Sequence, residues 1–213
     1  MRNWIILAIL TLYYPATAHS SEMVEIPAGS FIMGNHGSQT SHQRTINLDN
    51  FFIDRFEVTN AEFSARFPGH TYPPGADQHP VTSVTWSEAG EFCLADNKRL
   101  PTEAEWEKAA RGPDGRVYPW GDKNLKKKPH PFFSGIIKRK VGYNKKDASY
   151  YGVRDMAGSV WEWTATDAGE KKVTRGGLWN LHLDFEYSKT YERNLIAPAS
   201  RFVFLGFRCA RSK

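Results

Sequence analysis

The residues best suited to chemistry in this chain lie in one window, 178–205, near its carboxyl end. Two conformationally distinctive sequences frame that window, Arg175-Gly176-Gly177 before it and Gly206-Phe207-Arg208-Cys209 after it. Aromatic side chains and single polar residues are interspersed inside the frame, and no cysteine lies among them. Rigid rings supply contact area at low entropic cost, and mixed polar groups supply adaptable hydrogen bonds. The window therefore predicts recognition of a ligand.

We call residues 178–205 the recognition window. Its candidate ligand-binding residues are Trp179, Asn180, Leu181, His182, Asp184, Phe185, Glu186, Tyr187, Lys189, Tyr191, Asn194, Phe202 and Phe204. Alternate residues of a strand point to opposite faces, so a final strand would turn Phe202 and Phe204 into the core with Val203 facing away. We expect about half of the named aromatic rings to be core.

Length and composition favour one globular domain. The chain has 213 residues, of which 40% are hydrophobic and 24% charged, enough for a sizeable core. The net charge of +5 comes largely from a basic stretch, 123–146. Such a stretch can attract a polyanion, but a solvated insertion is the more ordinary explanation, and we expect no nucleic-acid partner. An anionic glycan or membrane headgroup is the better polyanion for an exported protein.

Residues 1–20 have the layout of a secretory signal. Arg2 precedes an apolar run from Trp4 to Tyr14, and small residues at 16–18 precede a polar change of character. The run is shorter than the roughly 20 residues that cross a bilayer, and no later segment is apolar for as long. We expect the mature domain to be 21–213, exported to the periplasm, cell surface or medium without a transmembrane segment. A retained amino-terminal anchor is the alternative.

Export also changes how the two cysteines, Cys93 and Cys209, are interpreted. Oxidising compartments favour disulfides, so we pair the two. The alternative is two buried free thiols. Neither cysteine has histidines at metal-ligand spacing, so a zinc site has little support.

The elements that must position these groups are short. Residues 23–33 predict a hairpin of two strands around a Pro-Ala-Gly turn, and 46–56 predict a strand. Capping boxes at Thr59 and Thr102 predict helix starts, and Ser87 is expected to cap a helix between them. Few helices and much irregular chain indicate an α+β domain.

Eight motifs occur in order along residues 26–209. They are Ile-Pro-Ala-Gly-Ser-Phe-Ile-Met-Gly at 26–34, Glu-Val-Thr-Asn at 57–60, His-Pro-Val at 79–81, Lys-Arg-Leu-Pro-Thr-Glu-Ala-Glu-Trp-Glu at 98–107, Tyr-Pro-Trp-Gly at 118–121, Asp-Met-Ala-Gly-Ser-Val-Trp-Glu-Trp-Thr at 155–164, and the two framing sequences. Together they resemble the sulfatase-modifying-factor family, which includes the formylglycine-generating enzymes. The resemblance implies a variant of the C-type lectin fold, and it supports the disulfide, which some family members form.

The departure from the family's pattern concerns copper. In its oxidising enzymes two cysteines after the Gly-Gly pair bind copper(I), which prefers soft thiolates. The matching positions here carry Leu181 and a residue near Glu186, and Leu178 replaces a common serine. The resemblance therefore implies no copper and no formylglycine generation by the usual chemistry.

A calcium site of the family has matching residues. Asp155, the backbone carbonyls of Gly158 and Val160, and Glu162 supply the hard oxygen ligands that calcium takes. In the alternative interpretation Asp155 caps a turn and Glu162 pairs with an arginine.

Three functions stay open. The first is an exported monomeric binder of a protein or glycan, whose recognition window resembles the diversified cassette of retroelement variable proteins. The second is an exported oxidoreductase or maturation factor in which Glu186, His182 or Asp184 acts as acid or base. The third is an inactive paralogue that binds an active family member or its substrate.

Overall fold

A computed structural model of the chain describes residues 22–38, 41–122, 139–177 and 188–213. The strands in these ranges are β1 Met23–Ile26, β2 Gly29–Met33, β3 Arg44–Leu48, β4 Phe51–Asp54, β5 Trp161–Ala168, β6 Lys171–Arg175, β7 Asn194–Ile196, β8 Leu205–Gly206 and β9 Ala210–Ser212. The helices are α1 Asn60–Arg66, α2 Trp86–Leu94 and α3 Glu103–Arg111. Short helices and several sheets confirm the predicted α+β class.

The strands form three sheets within the described ranges. One has the order β1-β4-β9, one is the pair β2-β3, and one has the order β7-β6-β5-β8. β5 and β8 are parallel, whereas the other paired strands are antiparallel. The first sheet places the last strand beside β4, and the third brings both ends of the recognition window to one sheet.

The hairpin predicted over 23–33 is wrong. β1 pairs with β4, with Val24 opposite Ile53, and β2 pairs with β3, with Phe31 opposite Ile46. Gly29 has a φ of 128°, a value that side chains disfavour, and it redirects the chain from the first sheet into the second. The strand predicted over 46–56 is likewise divided between β3 and β4.

The helix starts follow capping chemistry. Thr59 and Thr102 cap α1 and α3 as predicted, each accepting a hydrogen bond from the backbone N–H three residues later. The predicted cap at Ser87 is wrong, because Thr85 caps α2. The Thr85 hydroxyl accepts from the Glu88 N–H, and the Glu88 carboxylate accepts from the Thr85 N–H at 2.8 Å. Thr-Trp-Ser-Glu at 85–88 was the sequence signal for this start.

Two hydrophobic clusters form the core of the part of the chain that the structure describes. One packs α2 and the 58–63 segment against β5 and β8, and the other packs α3 against β1 and β4. Cys93 of α2 and Cys209 are bonded to each other, with 5.6 Å between their Cα atoms, which confirms the predicted pairing. This bond ties α2 to the chain just before β9.

No helix in the described part of the chain is long and apolar enough to span a membrane. The predicted signal, residues 1–20, lies outside the described residues.

Candidate functional site

The structure describes the carboxyl-terminal part of the recognition window. Residues 178–187 lie outside the described ranges, and with them the predicted ligand-binding residues Trp179, Asn180, Leu181, His182, Asp184, Phe185, Glu186 and Tyr187. Residues 188–205 and the chain on both sides of the window are described. The described anchors on both sides of residues 178–187 therefore define the site.

Arg175, at the end of β6, is the first anchor. Its side chain is 0% exposed, and one of its terminal nitrogens donates to Glu103 at 2.6 Å and to Glu107 at 2.9 Å, both on α3. The other terminal nitrogen donates to the backbone carbonyls of Thr190 at 3.3 Å and Glu192 at 3.2 Å. A buried guanidinium held by carboxylates is a rigid support. Arg175 thus connects α3 to the chain that leaves residue 187.

Thr190 is the second anchor. Its backbone N–H donates to the Val117 carbonyl at 2.8 Å, and its hydroxyl donates to the Arg116 carbonyl at 3.0 Å. These bonds hold residues 188–193 against the loop that follows α3. The aromatic residues of that loop, Tyr118 and Trp120, stack with ring centroids 5.2 Å apart.

The glycine pair before the window passes close to other backbone. Gly176 has a φ of 101°, and a Cβ placed there would stand 2.8 Å from the Val160 carbonyl oxygen. The Gly176 carbonyl accepts from the Gly158 N–H at 3.1 Å. The same turn that carries the predicted calcium carbonyls therefore fixes the start of the window.

Three described candidates lie along residues 189–194. Tyr191 is 7% exposed, with the Arg111 guanidinium 5.6 Å from its ring centroid, so little of its ring is open to a ligand. Lys189 is half-buried, and its ammonium lies 5.9 Å from the same ring. Asn194 is exposed at the start of β7, where its side-chain oxygen accepts from the Leu195 N–H.

Phe202 and Phe204 stack on each other, with centroids 5.0 Å apart and planes 8° apart. Phe204 is half-buried and packs against the first hydrophobic cluster, as the strand argument predicted. Phe202 does not turn inward, since it is 39% exposed, and Val203 beside it is 47% exposed. The segment lies just before β8, so strand alternation does not govern it. Phe202 is thus the described candidate with an accessible ring.

Two of the predicted calcium ligands, Glu162 and Asp155, interact with Arg208. Glu162 is fully buried, and its carboxylate accepts from the Arg208 guanidinium through both oxygens, at 2.7 and 2.8 Å. The Trp106 ring nitrogen donates to the same carboxylate at 2.9 Å. This is the arginine pairing that the alternative interpretation anticipated. An ion at this position would share Glu162 with Arg208.

Asp155 lies beside this pair with a positive φ of 59°. One of its carboxylate oxygens accepts a hydrogen bond from the Gly142 N–H. Burial raises the pKa of Asp155 to about 6, while the Gly142 hydrogen bond and the Arg208 charge oppose the rise. A carboxylate with a raised pKa in the metal-free protein is one that a cation would stabilise.

Two further buried carboxylates, Glu57 and Asp147, complete a group that sequence reasoning missed. Each is 2% exposed. Burial raises the pKa of Glu57 well above its usual range, the charges of Asp155 and Glu162 raise it further, and Arg208 and the Ser159 side chain lower it. Burial and then the Asp155 charge raise the pKa of Asp147 in the same way. Glu57 was visible only as part of a family motif, and Asp147 carried no sequence signal.

We call Glu57, Asp147, Asp155 and Glu162 the carboxylate cluster. In the described ranges no three histidine, cysteine, aspartate or glutamate side chains are grouped so that they could hold a metal ion directly. Direct coordination would therefore combine at most two of these carboxylates with backbone carbonyls. That is the composition of the predicted set.

The comparisons with known proteins agree on one family. The family model described as the sulfatase-modifying factor enzyme 1-like domain matches residues 11–213. The mouse formylglycine-generating enzyme is 28% identical over 89% of this chain and 75% of its own length. The mouse inactive C-alpha-formylglycine-generating enzyme 2 is 30% identical over 92% of this chain and 87% of its own length.

Solved structures with a similar fold include Treponema denticola variable protein 1. It superposes with a TM-score of 0.76 at 24% identity, over 90% of this chain and 95% of that one. The I1 variant of the Major Tropism Determinant has a TM-score of 0.51 at 15% identity, over 87% of this chain and 61% of that one. At these identities the likeness concerns the fold, and it confirms the C-type lectin-like class.

Proposed function

This chain belongs to the family of sulfatase-modifying factor enzyme 1-like domains, and from that premise we propose that it is an exported ligand-binding member of the family. The main observation in support of this proposal is that the chain has no free thiol. The chain has two cysteines, and both are consumed by the disulfide between Cys93 and Cys209. No thiolate is left for copper(I), the metal that the family's oxidising enzymes hold through a cysteine pair. Recognition is the function that the scaffold still supports without that metal.

The anchors of the recognition window support this proposal. Arg175 and Thr190 fix the chain after residue 187, and Gly176 fixes the chain before residue 178. A binding surface gains affinity when its supports are rigid, because less conformational entropy is lost on association. Side chains within 178–187 can therefore differ in chemistry while both ends of the segment stay in place.

The proposed contact surface combines Phe202 with the candidates of 178–187 and with Asn194 and Lys189. Phe202 offers an accessible ring supported from behind by Phe204, and the other candidates offer amide, carboxylate, imidazole and ammonium groups. Aromatic anchors surrounded by adaptable polar groups suit a protein epitope or the mixed polar and apolar faces of a glycan. We propose a protein or glycan ligand and a monomeric binder.

We propose further that residues 178–205 are diversified by a retroelement. Mutation of asparagine codons at adenines yields Tyr, His, Asp, Leu, Phe, Ser, Ile, Val or Ala, which accounts for many residues of the window. The fold shared with Treponema denticola variable protein 1 is compatible with this use of the scaffold. The test is genomic: a near-copy of this coding segment, with adenines at these codons, must lie beside a reverse transcriptase gene. Its absence would remove this part of the proposal.

Calcium is the proposed structural ion. Asp155, the carbonyls of Gly158 and Val160, and Glu162 are the residues that would hold it. The residues fit a divalent cation, because several buried carboxyl groups surround the Arg208 guanidinium. When they are ionised, their negative charge is larger than its single positive charge. The ion would supply positive charge that stabilises the turn at 155–162, next to the start of the recognition window.

The second candidate is an exported oxidoreductase or maturation factor of the same family. It would employ His182, Asp184 or Glu186 as acid or base in the former reaction cleft. Its support is membership of a family that contains the formylglycine-generating enzyme of the mouse. Fold and family alone are weak grounds for a particular chemistry.

The deciding experiment probes glycan and protein arrays with the mature chain, residues 21–213, while metal content and oxygen consumption are measured on the same material. We expect saturable binding to one ligand class, calcium as the bound metal, and no oxidative turnover. Stoichiometric copper or iron, together with turnover lost on changing His182 or Glu186, would instead establish the enzyme.

Matched variants locate the binding surface. Phe202→Ala removes an exposed ring from the proposed surface, and Leu94→Ala removes an exposed apolar side chain, 71% accessible, from the end of α2. We expect the first change to weaken binding by about tenfold to a hundredfold, typical of an interface anchor, and the second to leave binding unchanged. Equal effects of the two changes would contradict this placement.

A further inference from the structure

The carboxylate cluster contains buried carboxyl oxygens that accept no hydrogen bond from the protein. Among the described residues, both oxygens of Glu57 and one oxygen of Asp147 are buried without a hydrogen-bond partner of good geometry. Ser159 lies near enough to Glu57 to lower its pKa. Buried polar atoms in native proteins are nearly always hydrogen-bonded, and an unpartnered buried carboxylate is costlier than a neutral group. When Glu57 and Asp147 are ionised, three such oxygens near Asp155 require a compensating positive charge or hydrogen-bond donors.

The protein's own cations leave a deficit. The guanidinium groups acting on these carboxylates are those of Arg208 and Arg154, set against the four acidic side chains of the cluster. Arg208 already donates three hydrogen bonds to backbone carbonyls and two to Glu162. Arg154 donates to the Asn144 carbonyl. With every group ionised, four negative charges face two positive ones, a balance that one divalent cation restores.

Local bonds hold the unsatisfied oxygens in place. Asp147 accepts from the Ala157 N–H at 3.2 Å through one oxygen, which leaves its other oxygen without a donor. Glu57 comes from the segment between β4 and α1, and the charges of Asp155 and Glu162 act on it. Its backbone neighbour Val58 is fixed by hydrogen bonds to Phe207 and Val81. The Asp155 charge acts on both side chains, so both lie near Asp155.

We propose that Glu57 and Asp147 are outer ligands of the cation held by Asp155 and Glu162, and that they bind it through its coordinated water molecules. This inference rests on the calcium proposal made above. Calcium takes six to eight oxygen ligands, and the predicted set supplies four, so water must complete the sphere. Those waters are hydrogen-bond donors, which is what both oxygens of Glu57 and one oxygen of Asp147 lack. Water-mediated contact also agrees with the absence of a three-carboxylate group among the described residues.

The test compares calcium affinity and metal-free stability in four proteins: the parent chain, Glu57→Gln, Asp147→Asn and the control Asp49→Asn. Asp49 is an exposed carboxylate in the turn between β3 and β4, so its change alters net charge equally without touching the cluster. Isothermal titration with calcium chloride gives the affinity, and urea denaturation after chelation gives the stability. Outer-sphere partners of a metal typically change its affinity 10- to 100-fold when removed.

We expect Glu57→Gln and Asp147→Asn each to weaken calcium binding by about 10-fold or more, while the metal-free variants are at least as stable as the parent. That opposite pair of effects separates an ion-facing carboxylate from a merely structural one, whose removal would destabilise the metal-free protein. Unchanged calcium affinity in both variants, with the parent binding calcium, would overturn this inference and leave the calcium site standing. A parent chain that binds no calcium would overturn both, and ligand binding on the arrays would still be judged separately.

Discussion

The disulfide between Cys93 and Cys209 allows a quantitative prediction, because the two cysteines are 116 residues apart. Closing a loop of that length removes unfolded-state entropy worth about 5 kcal/mol in the chain-entropy model. For a domain of this size that corresponds to a fall in Tm of about 10 to 20 °C when the bond is broken. The bond should therefore contribute a large part of a total stability of about 5 to 15 kcal/mol.

The assay is urea denaturation followed by tryptophan fluorescence, on the oxidised chain, the reduced chain and the double variant Cys93→Ala/Cys209→Ala. The reduced chain isolates the cross-link, because its side chains keep both sulfur atoms. The double variant also loses packing, since the two cysteines are 0% and 1% exposed, and should be less stable still. The quantity to compare is the free energy of unfolding of the reduced and the oxidised chain.

A reduced chain within about 1 kcal/mol of the oxidised one would refute this reasoning. It would mean that residues 93 and 209 stay close in the unfolded ensemble, or that the bond is strained enough to offset its entropic benefit. The denaturant slope distinguishes these cases, because residual structure lowers the surface exposed on unfolding.

Three other changes have definite outcomes. Arg175→Met leaves the Glu107 carboxylate buried without that partner, so it should lower the free energy of unfolding by about 3 to 5 kcal/mol in urea denaturation. Phe204→Ala should lower stability by about 2 kcal/mol or more, whereas Phe202→Ala should have a smaller effect, since Phe202 is 39% exposed and Phe204 packs against the first hydrophobic cluster. The metal-free protein should lose stability as pH rises from about 4 through 6. The pKa of Asp155 is higher in the folded than in the unfolded protein, so its protonated form favours folding and its ionised form does not. Saturating calcium should abolish this trend between pH 5 and 7 in the same assay.

Local chemistry made the helix starts predictable. Thr59 and Thr102 precede glutamates by three residues, and such a box can be read without knowing the fold. The cap of α2 was also predictable from local sequence, although Ser87 was the wrong choice. Glu88 follows Thr85 by three residues and identifies Thr85 as the cap. The disulfide was predictable because the chain has two cysteines, which allow one intramolecular pairing.

Long-range pairing could not be predicted by the same means. Sequence proximity suggested that β1 and β2 form a hairpin, but β1 pairs with β4 and β2 pairs with β3. The hydrophobic pattern of all four strands sets this choice. The carboxylate cluster illustrates the same limit for a site. Glu57 and Asp147 are far apart in sequence, and the fold brings each of them near Asp155 and Arg208.

The first sheet places β9 beside β4 and two positions from β1. β8 and the second cysteine of the disulfide come from the same carboxyl-terminal stretch, residues 205–212. The sheet and the cross-link therefore cannot form until residues 205–212 have been synthesised, whatever the early segments do. Until then β4 lacks its β9 neighbour and α2 lacks its covalent partner, so native closure of the domain must follow synthesis of most of the described chain.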